Sequence, residues 1–173
     1  ASARLGARRT PDLAIQNIHA VFNGDWIPKV ESIALSRVTL RVAFDGEKFS
    51  FGTLQRLVNG YTSSAPQAAP VSIAQGATRV VVSDAKVLAF TPAGVLSFAG
   101  SGVLSGSRVE RFLGTIGRAN LRSQGFAVLL SGGDFNARSA GNGLDLHLTA
   151  NGRGLLYSRI RASEVRAALD VKG

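Results

Sequence analysis

Apolar and polar side chains alternate along residues 37–44, and this alternation is the clearest pattern in the chain. Successive side chains of an extended strand point to opposite faces, so the segment predicts a strand with one apolar face and one face of Arg and Thr. Asp45-Gly46 then predicts a turn into a second strand that contains Phe49 and Phe51 in phase. The apolar positions of the first strand are Val38, Leu40, Val42 and Phe44.

The same one-sided pattern returns further along the chain. Leu96 and Phe98 share one face of a predicted strand, and residues 144–149 alternate Leu with Asp, His and Thr. Residues 165–171 alternate in the same way near the end of the chain. The chain therefore consists largely of strands with one apolar face, and this face must be covered by other apolar groups.

Turn residues separate these strands at short intervals, which is typical of an all-β protein built as an antiparallel meander of hairpins. Strong turns are predicted at residues 131–134 and 141–143, and a further turn at residues 151–154, where glycines cluster. Residues 109–116 fit either a strand or a short helical turn. The other strands are predicted at residues 13–22, 26–35, 38–44, 79–91, 95–104, 118–122, 126–131, 135–139, 144–148 and 165–172.

Two changes of phase indicate irregular strands. Ile33 and Leu35 have one parity and residues 38–44 have the other, so a bulge or a break is expected at residues 36–37. A second bulge is expected within residues 79–90, where the apolar parity changes between Val87 and Leu88.

The remaining segments complete the predicted organisation. Residues 52–58 favour a short helix, and residues 60–72 are rich in Ser, Ala, Pro and Gln, which is typical of a surface loop. Residues 1–11 are interpreted as a flexible lead-in to one elongated β section, residues 12–173. We expect this section to be a fragment of a larger protein, because the chain has no Met and its alternation continues to the end.

The amino-acid composition excludes several kinds of functional site and segment. The chain has no Cys, which excludes disulfides, Cys-ligated zinc and a thiol nucleophile. It also has no apolar run of the ~18 residues that a transmembrane helix needs. The net charge is +9 and is spread over both halves. Such a surface suits nucleic acid or anionic lipid, but the favoured explanation is that the arginines lie on the solvated faces of the strands, because this needs only ordinary strand alternation.

Residues with catalytic or metal-binding chemistry are sparse. His19 and His147 are far apart in sequence and neither belongs to a metal-binding motif, so both are interpreted as surface histidines. Gly100-Ser101-Gly102 lacks the Lys of a phosphate loop, and no Gly-x-Ser-x-Gly elbow occurs. We therefore expect no enzyme activity, no metal and no cofactor.

Specific binding of nucleic acid is not expected either. Strand-based binders of single-stranded nucleic acid place basic residues beside exposed aromatic rings. In this chain the aromatic residues share a parity with Val and Leu, away from the arginines. The apolar-face aromatics are predicted to be Phe44, Phe49, Phe51, Phe90, Phe98 and Phe126.

Two arrangements would cover such apolar strand faces. A sandwich or closed barrel would pack them against protein and would make a structural or protein-interaction module. A curled, open sheet would instead present them to acyl chains. The abundance of Val, Leu and Ala suits both arrangements.

Two consecutive segments carry a family resemblance. Residues 36–42 read Ser-Arg-Val-Thr-Leu-Arg-Val, and residues 45–57 read Asp-Gly-Glu-Lys-Phe-Ser-Phe-Gly-Thr-Leu-Gln-Arg-Leu. This order of an Arg-flanked strand, a charged turn and a Ser-Phe-Gly-x-Leu element resembles the AsmA-like proteins of Gram-negative envelopes, and most closely their YdbH branch. The next hairpin is similar as well, with Asp-Ala at residues 84–85 and Thr-Pro-Ala-Gly at residues 91–94. The resemblance covers residues 26–104.

The resemblance implies a curved, groove-like β-sheet in the periplasm, anchored in the inner membrane through a segment absent from this chain. It implies that phospholipid moves along the groove between the inner and outer membranes, with acyl chains as the bound partners. The chain is too short to cross a periplasm, so it would form one section of the groove. The lining residues would then be Val38, Leu40, Val42, Phe44, Leu96, Phe98, Leu144, Leu146 and Leu148.

Overall fold

Alternating sequence segments become strands of a single sheet in this protein. A computed structural model describes residues 1–173 except 8–9, 25, 27–28, 54–77, 107, 142 and 173. The described residues confirm the predicted all-β class and form one open, curved sheet. Its strands are β1 (Ala3–Gly6), β2 (Pro11–Phe22), β3 (Val30–Phe44), β4 (Phe49–Ser50), β5 (Arg79–Thr91), β6 (Gly94–Ser105), β7 (Arg108–Ile116), β8 (Ala119–Ser123), β9 (Phe126–Ala140), β10 (Gly143–Tyr157) and β11 (Ile160–Val171).

The strands follow one another across the sheet in almost the same order as in the sequence. The order is β1-β2-β3-β5-β6-β7-β9-β10-β11, and β4 and β8 pair with β3 and β9. Among the strand pairs of the described residues, β3 and β5 are parallel and the others are antiparallel. The sheet is therefore a meander with one parallel step, and β1 and β11 form its two edges.

The phase change expected at residues 36–37 is a bulge inside one continuous strand. Arg37 has a φ of 51°, which takes it out of the extended conformation, and β3 continues on both sides of it. The bulge keeps Leu35 and Val38 on the same face although their parity differs, because the residue between Ser36 and Val38 leaves the pleat.

The second bulge exists, but its predicted position was wrong. It lies at Asp84, whose φ is 53°, beside the bulge of β3, because Ser36 pairs with Ser83 and Val38 with Ala85. The apolar parity that starts at Ala85 then continues through Val87 and Ala89. Leu88 and Phe90 therefore lie on the opposite face, which corrects the assignment of Phe90 to the apolar face.

The strong turn predicted at residues 141–143 is confirmed, since Gly141 lies between the end of β9 and the start of β10, but two other turns predicted from glycine clusters are wrong. Residues 131–134 lie inside β9 and residues 151–154 lie inside β10. Gly132 (φ 142°) and Gly154 (φ 61°) absorb irregular backbone at these points, so that each long strand bends without ending. The register of β9 against β10 shifts next to both glycines.

Three other predicted segments have different outcomes in the structure. Part of the expected flexible lead-in is ordered as β1, which pairs with β2 and places Leu5 opposite Leu13. The predicted short helix at residues 52–58 falls almost entirely outside the described residues, and the predicted loop at residues 60–72 falls wholly outside them. Residues 109–116, which fitted a strand or a helical turn, form a strand as part of β7.

Candidate functional site

The register of the sheet brings apolar side chains from distant parts of the chain into rows that cross neighbouring strands. Paired residues on adjacent strands project to the same face, so each row can be followed from strand to strand. One row runs Leu13, Leu40, Val87, Phe98, Ile116, Gly133, Ala150, Ala167. The next runs Ile15, Val38, Ala85, Gly100, Gly114, Phe135, Leu148, Leu169, and a third runs Ile18, Leu35, Val82, Gly102, Phe112, Ala137, Leu146, Val171.

These three rows lie on one face, because neighbouring rows are two residues apart along each regular strand. We call this surface, together with Val42, Phe44, Leu96 and Leu144 at its margins, the apolar face. All nine residues predicted as lining residues belong to it. The apolar face thus extends over strands that are about 100 residues apart in sequence, from β3 to β10.

A cluster of three aromatic rings lies at the centre of the apolar face. The ring centroids of Phe98 and Phe135 are 6.0 Å apart in an edge-to-face arrangement, and those of Phe112 and Phe135 are 6.1 Å apart and stacked. The Phe135 ring lies over Gly114, since a Cβ at Gly114 would be 2.6 Å from that ring. Glycine therefore provides the space in which the rings lie flat on the sheet.

Sequence reasoning missed two members of this cluster. Phe112 is followed directly by Leu113, so alternation did not assign a face to it, and Phe135 follows the false turn at residues 131–134. The sequence did contain a signal for this cluster. Gly100, Gly102 and Gly114 lie inside apolar segments, and glycine inside a strand often marks a place where another group approaches closely.

The apolar face is only partly buried within the described residues. The buried apolar side chains are Val42, Val82, Ala85, Ile116, Ala119 and Val128, and none of them falls below 2% exposure. Most of the remaining apolar face is half-buried, and Leu144 and Leu169 are 42% and 52% exposed.

A second layer is not present among the described strands. The strand pairs with substantial contact are the paired neighbours of the sheet and, in addition, β6 with β8, where the N–H of Arg122 donates to the backbone oxygen of Ala93 just before β6. β1 makes no such contact with β11. The described residues therefore form neither a sandwich nor a closed barrel. One apolar sheet face without a second layer is unusual, because folded domains normally bury such a face against another element.

Charged side chains are concentrated on the opposite side, the polar face, which includes Thr39, Arg41, Lys86, Asp134, Arg138, Asp145, His147, Arg166 and Asp170. Arg138 Nε lies 3.4 Å from Asp145 Oδ2. His147 Nδ1 contacts Asp170 Oδ1 on β11, and both side chains are more than half exposed. His147 is thus at the surface, as expected, and its carboxylate partner is a contact that only the pairing of β10 with β11 creates.

The described residues offer little chemistry beyond this segregation of charge. They contain no group of three or more His, Cys, Asp and Glu side chains that could hold a metal ion. No helix among them is long and apolar enough to cross a membrane. The backbone N–H groups of Lys48 and Glu47 donate to Asp45 and hold the pKa of its carboxyl below the ordinary value, which is turn chemistry at the β3–β4 hairpin.

Comparison with known proteins gave no relative to which a function could be traced. No protein-family model, no curated protein and no solved structure matches this chain.

Proposed function

We propose that this chain is a non-enzymatic lipid-binding section of an AsmA-like protein, in which phospholipid moves along the apolar face between the inner and outer membranes. In this proposal the protein works in the Gram-negative periplasm and is anchored by a segment outside this chain. The observation that carries the proposal is an apolar face that runs across the sheet and has no second layer over it among the described residues.

The chemistry of the apolar face supports acyl chains as its ligand. Its side chains are mainly Val, Leu, Ile, Ala and Phe, and the charged groups of the same strands lie on the polar face. An acyl chain that lies on the apolar face would therefore meet no ion pair and no polar side chain that needs a specific partner. Recognition of this kind selects for hydrocarbon and only weakly for a particular head group.

The magnitude of the hydrophobic effect is sufficient for useful affinity. Each buried CH₂ group contributes about 0.8 kcal/mol, so partial cover of one acyl chain offsets the loss of freedom on binding. Because the sheet is open, a bound acyl chain keeps one side exposed. Its binding is therefore reversible, and the acyl chain can move along the apolar face. Such binding is what a conduit for lipids requires.

The proposal is tested by measuring lipid that co-purifies with the chain, using mass spectrometry. We expect phospholipid with the wild type and its loss in the variant that combines Leu40→Asp with Leu146→Asp. The matched control combines Thr39→Asp with Thr149→Asp, which adds the same charge to the same strands on the polar face. The control variant should retain lipid.

A protein partner would cover the same surface, as in the protein-interaction module that the sequence left open. A wild-type chain that purifies without lipid from lipid-rich membranes, or equal lipid in both double variants, would contradict the proposal. Circular dichroism of each variant distinguishes loss of ligand from loss of the β-sheet.

A further inference from the structure

The outer edge of β11 is unpaired among the described residues, and its charge pattern indicates what could pair with it. β11 ends the sheet, with β10 on its inner side. It is twelve residues long and contains no Pro. Charged side chains such as those of β11 discourage unspecific pairing, but no Pro blocks the edge, and its outward N–H and C=O groups have no strand partner among the described residues. Such an edge is a template for a second strand with complementary charges.

The charges along β11 are complementary to themselves when the strand is reversed. On the polar face the order is Glu164, Arg166, Ala168, Asp170, and Lys172 follows directly after the strand. Read in the opposite direction, every acidic residue meets a basic residue, and Ala168 stands at the centre. The apolar face of β11 reads Val165, Ala167, Leu169, Val171 and matches itself in the same way, apolar against apolar.

We propose that β11 pairs with β11 of a second copy of this chain, antiparallel and in register about a two-fold axis at Ala168. Arg166 then lies opposite Asp170 of the second copy and Glu164 opposite its Lys172, and symmetry repeats both pairs. The axis is perpendicular to the sheet, because side chains that pair across antiparallel strands share a face. The two apolar faces therefore join on one side as one continuous surface.

Other registers of the same strand are less favourable. An axis at Ala167 places Glu164 opposite Asp170, and an axis at Leu169 places Arg166 opposite Lys172, so like charges meet in both. An axis at Val165 pairs Glu164 with Arg166 but leaves Asp170 and Lys172 without opposite charges. The axis at Ala168 uses all four charged side chains.

Exposure of these side chains permits the pairing. Glu164, Arg166 and Asp170 are exposed, and so is the apolar side chain of Leu169. Asp170 contacts His147 and Arg166 donates to the Asn151 side chain, so β10 orients both side chains without covering them. A second strand would cover the exposed edge of β11 and complete its hydrogen bonding.

Charge reversal tests the pairing by sedimentation equilibrium over a wide range of protein concentration. The wild type should form a dimer that weakens as salt screens the charges. Arg166→Asp alone and Asp170→Arg alone should each weaken self-association by about tenfold or more, because like charges then face each other twice. Mixing the two single variants should restore a dimer, since the two acidic side chains of the first variant then face the two arginines of the second.

A matched control and a crosslink define the register. Arg161→Asp reverses a charge on the same strand outside the paired segment and should leave the dimer unchanged. The chain has no Cys, so Ala168→Cys introduces a single thiol at the axis. Directly opposed residues have Cα atoms about 4.5–5.5 Å apart, which suits a disulfide, and this variant should crosslink on oxidation. Ala162→Cys on the same strand should not.

The proposal does not depend on lipid binding, and the outcomes of the two tests are separate. A wild type that stays monomeric at every concentration would overturn it. A dimer that survives both single reversals, or one that dissociates in the Leu40→Asp plus Leu146→Asp variant but not in the charge variants, would place the contact elsewhere and would also overturn it.

Discussion

Phe112 and Phe135 stack on the apolar face with their ring centroids 6.1 Å apart and their planes at 14°. The two residues come from β7 and β9, and they are in contact because Gly102 and Gly114 beneath them have no side chains. This relationship links a sequence feature that usually weakens strands, internal glycine, to the packing of the largest side chains of the face.

Replacing Gly114 with Ala tests this packing. The new Cβ would lie 2.6 Å from the Phe135 ring and would also approach the backbone oxygen of Ala99, so the rings or the strand must move. We expect the free energy of unfolding to fall by about 1–3 kcal/mol, measured by urea denaturation. Gly24→Ala is the control, because no atom lies within 4 Å of a Cβ at that position. Equal effects of the two substitutions would contradict the packing.

Buried and exposed positions of the apolar face should have different roles. Val42 is 6% exposed, so Val42→Ala should lower the free energy of unfolding by about 1–3 kcal/mol through lost burial and a residual cavity. Leu144 is 42% exposed, so Leu144→Ala should cost less than about 1 kcal/mol while weakening the binding of a fluorescent acyl chain. Unchanged acyl-chain affinity in Leu144→Ala would argue against a ligand role for this residue.

The left-handed backbone at Arg37 should cost stability, because non-glycine residues tolerate this conformation poorly. Arg37 has a φ of 51°, and Arg37→Gly should therefore raise the free energy of unfolding by up to about 1 kcal/mol. Arg41→Gly lies in the regular part of the same strand and should lower it by roughly 0.5–1 kcal/mol. A thermal-denaturation series that shows the same sign for both variants would contradict this account of the bulge.

The β3–β4 hairpin should depend on the charge of Asp45. The pKa of its carboxyl is lowered because the N–H groups of Lys48 and Glu47 bind the ionised form. Its contribution to stability is therefore fully present above the unfolded pKa of about 3.9 and is lost as the pH falls through the lower folded value. Asp45→Asn keeps an oxygen for the turn and should remove this pH dependence. An NMR titration in which the Asp45 carboxyl has an unshifted pKa would refute the explanation.

Alternation with period two was enough to predict most of the strands and the shared face of the nine residues that were predicted to line a groove. The prediction succeeded for Val38, Leu40 and Val42, and for the Leu residues of β10, because local geometry alone determines which way a strand side chain points. Alternation failed for Phe90 because β5 stays regular after the bulge at Asp84 and has two apolar residues, Leu88 and Phe90, on its polar face. Glycine clusters also failed to separate turns from strands at residues 131–134 and 151–154, because both a turn and a bend within a strand can require glycine.

The sequence by itself determined that this protein is made of one-sided strands with charge on one face and hydrocarbon on the other. Only the tertiary structure decided that those strands form one open layer, that Phe98, Phe112 and Phe135 meet, and that β11 has a neighbouring strand on one side only among the described residues. The physical reason is that the face of a side chain depends on its immediate backbone. Strand order, register and closure depend instead on pairing between residues that are far apart in the chain.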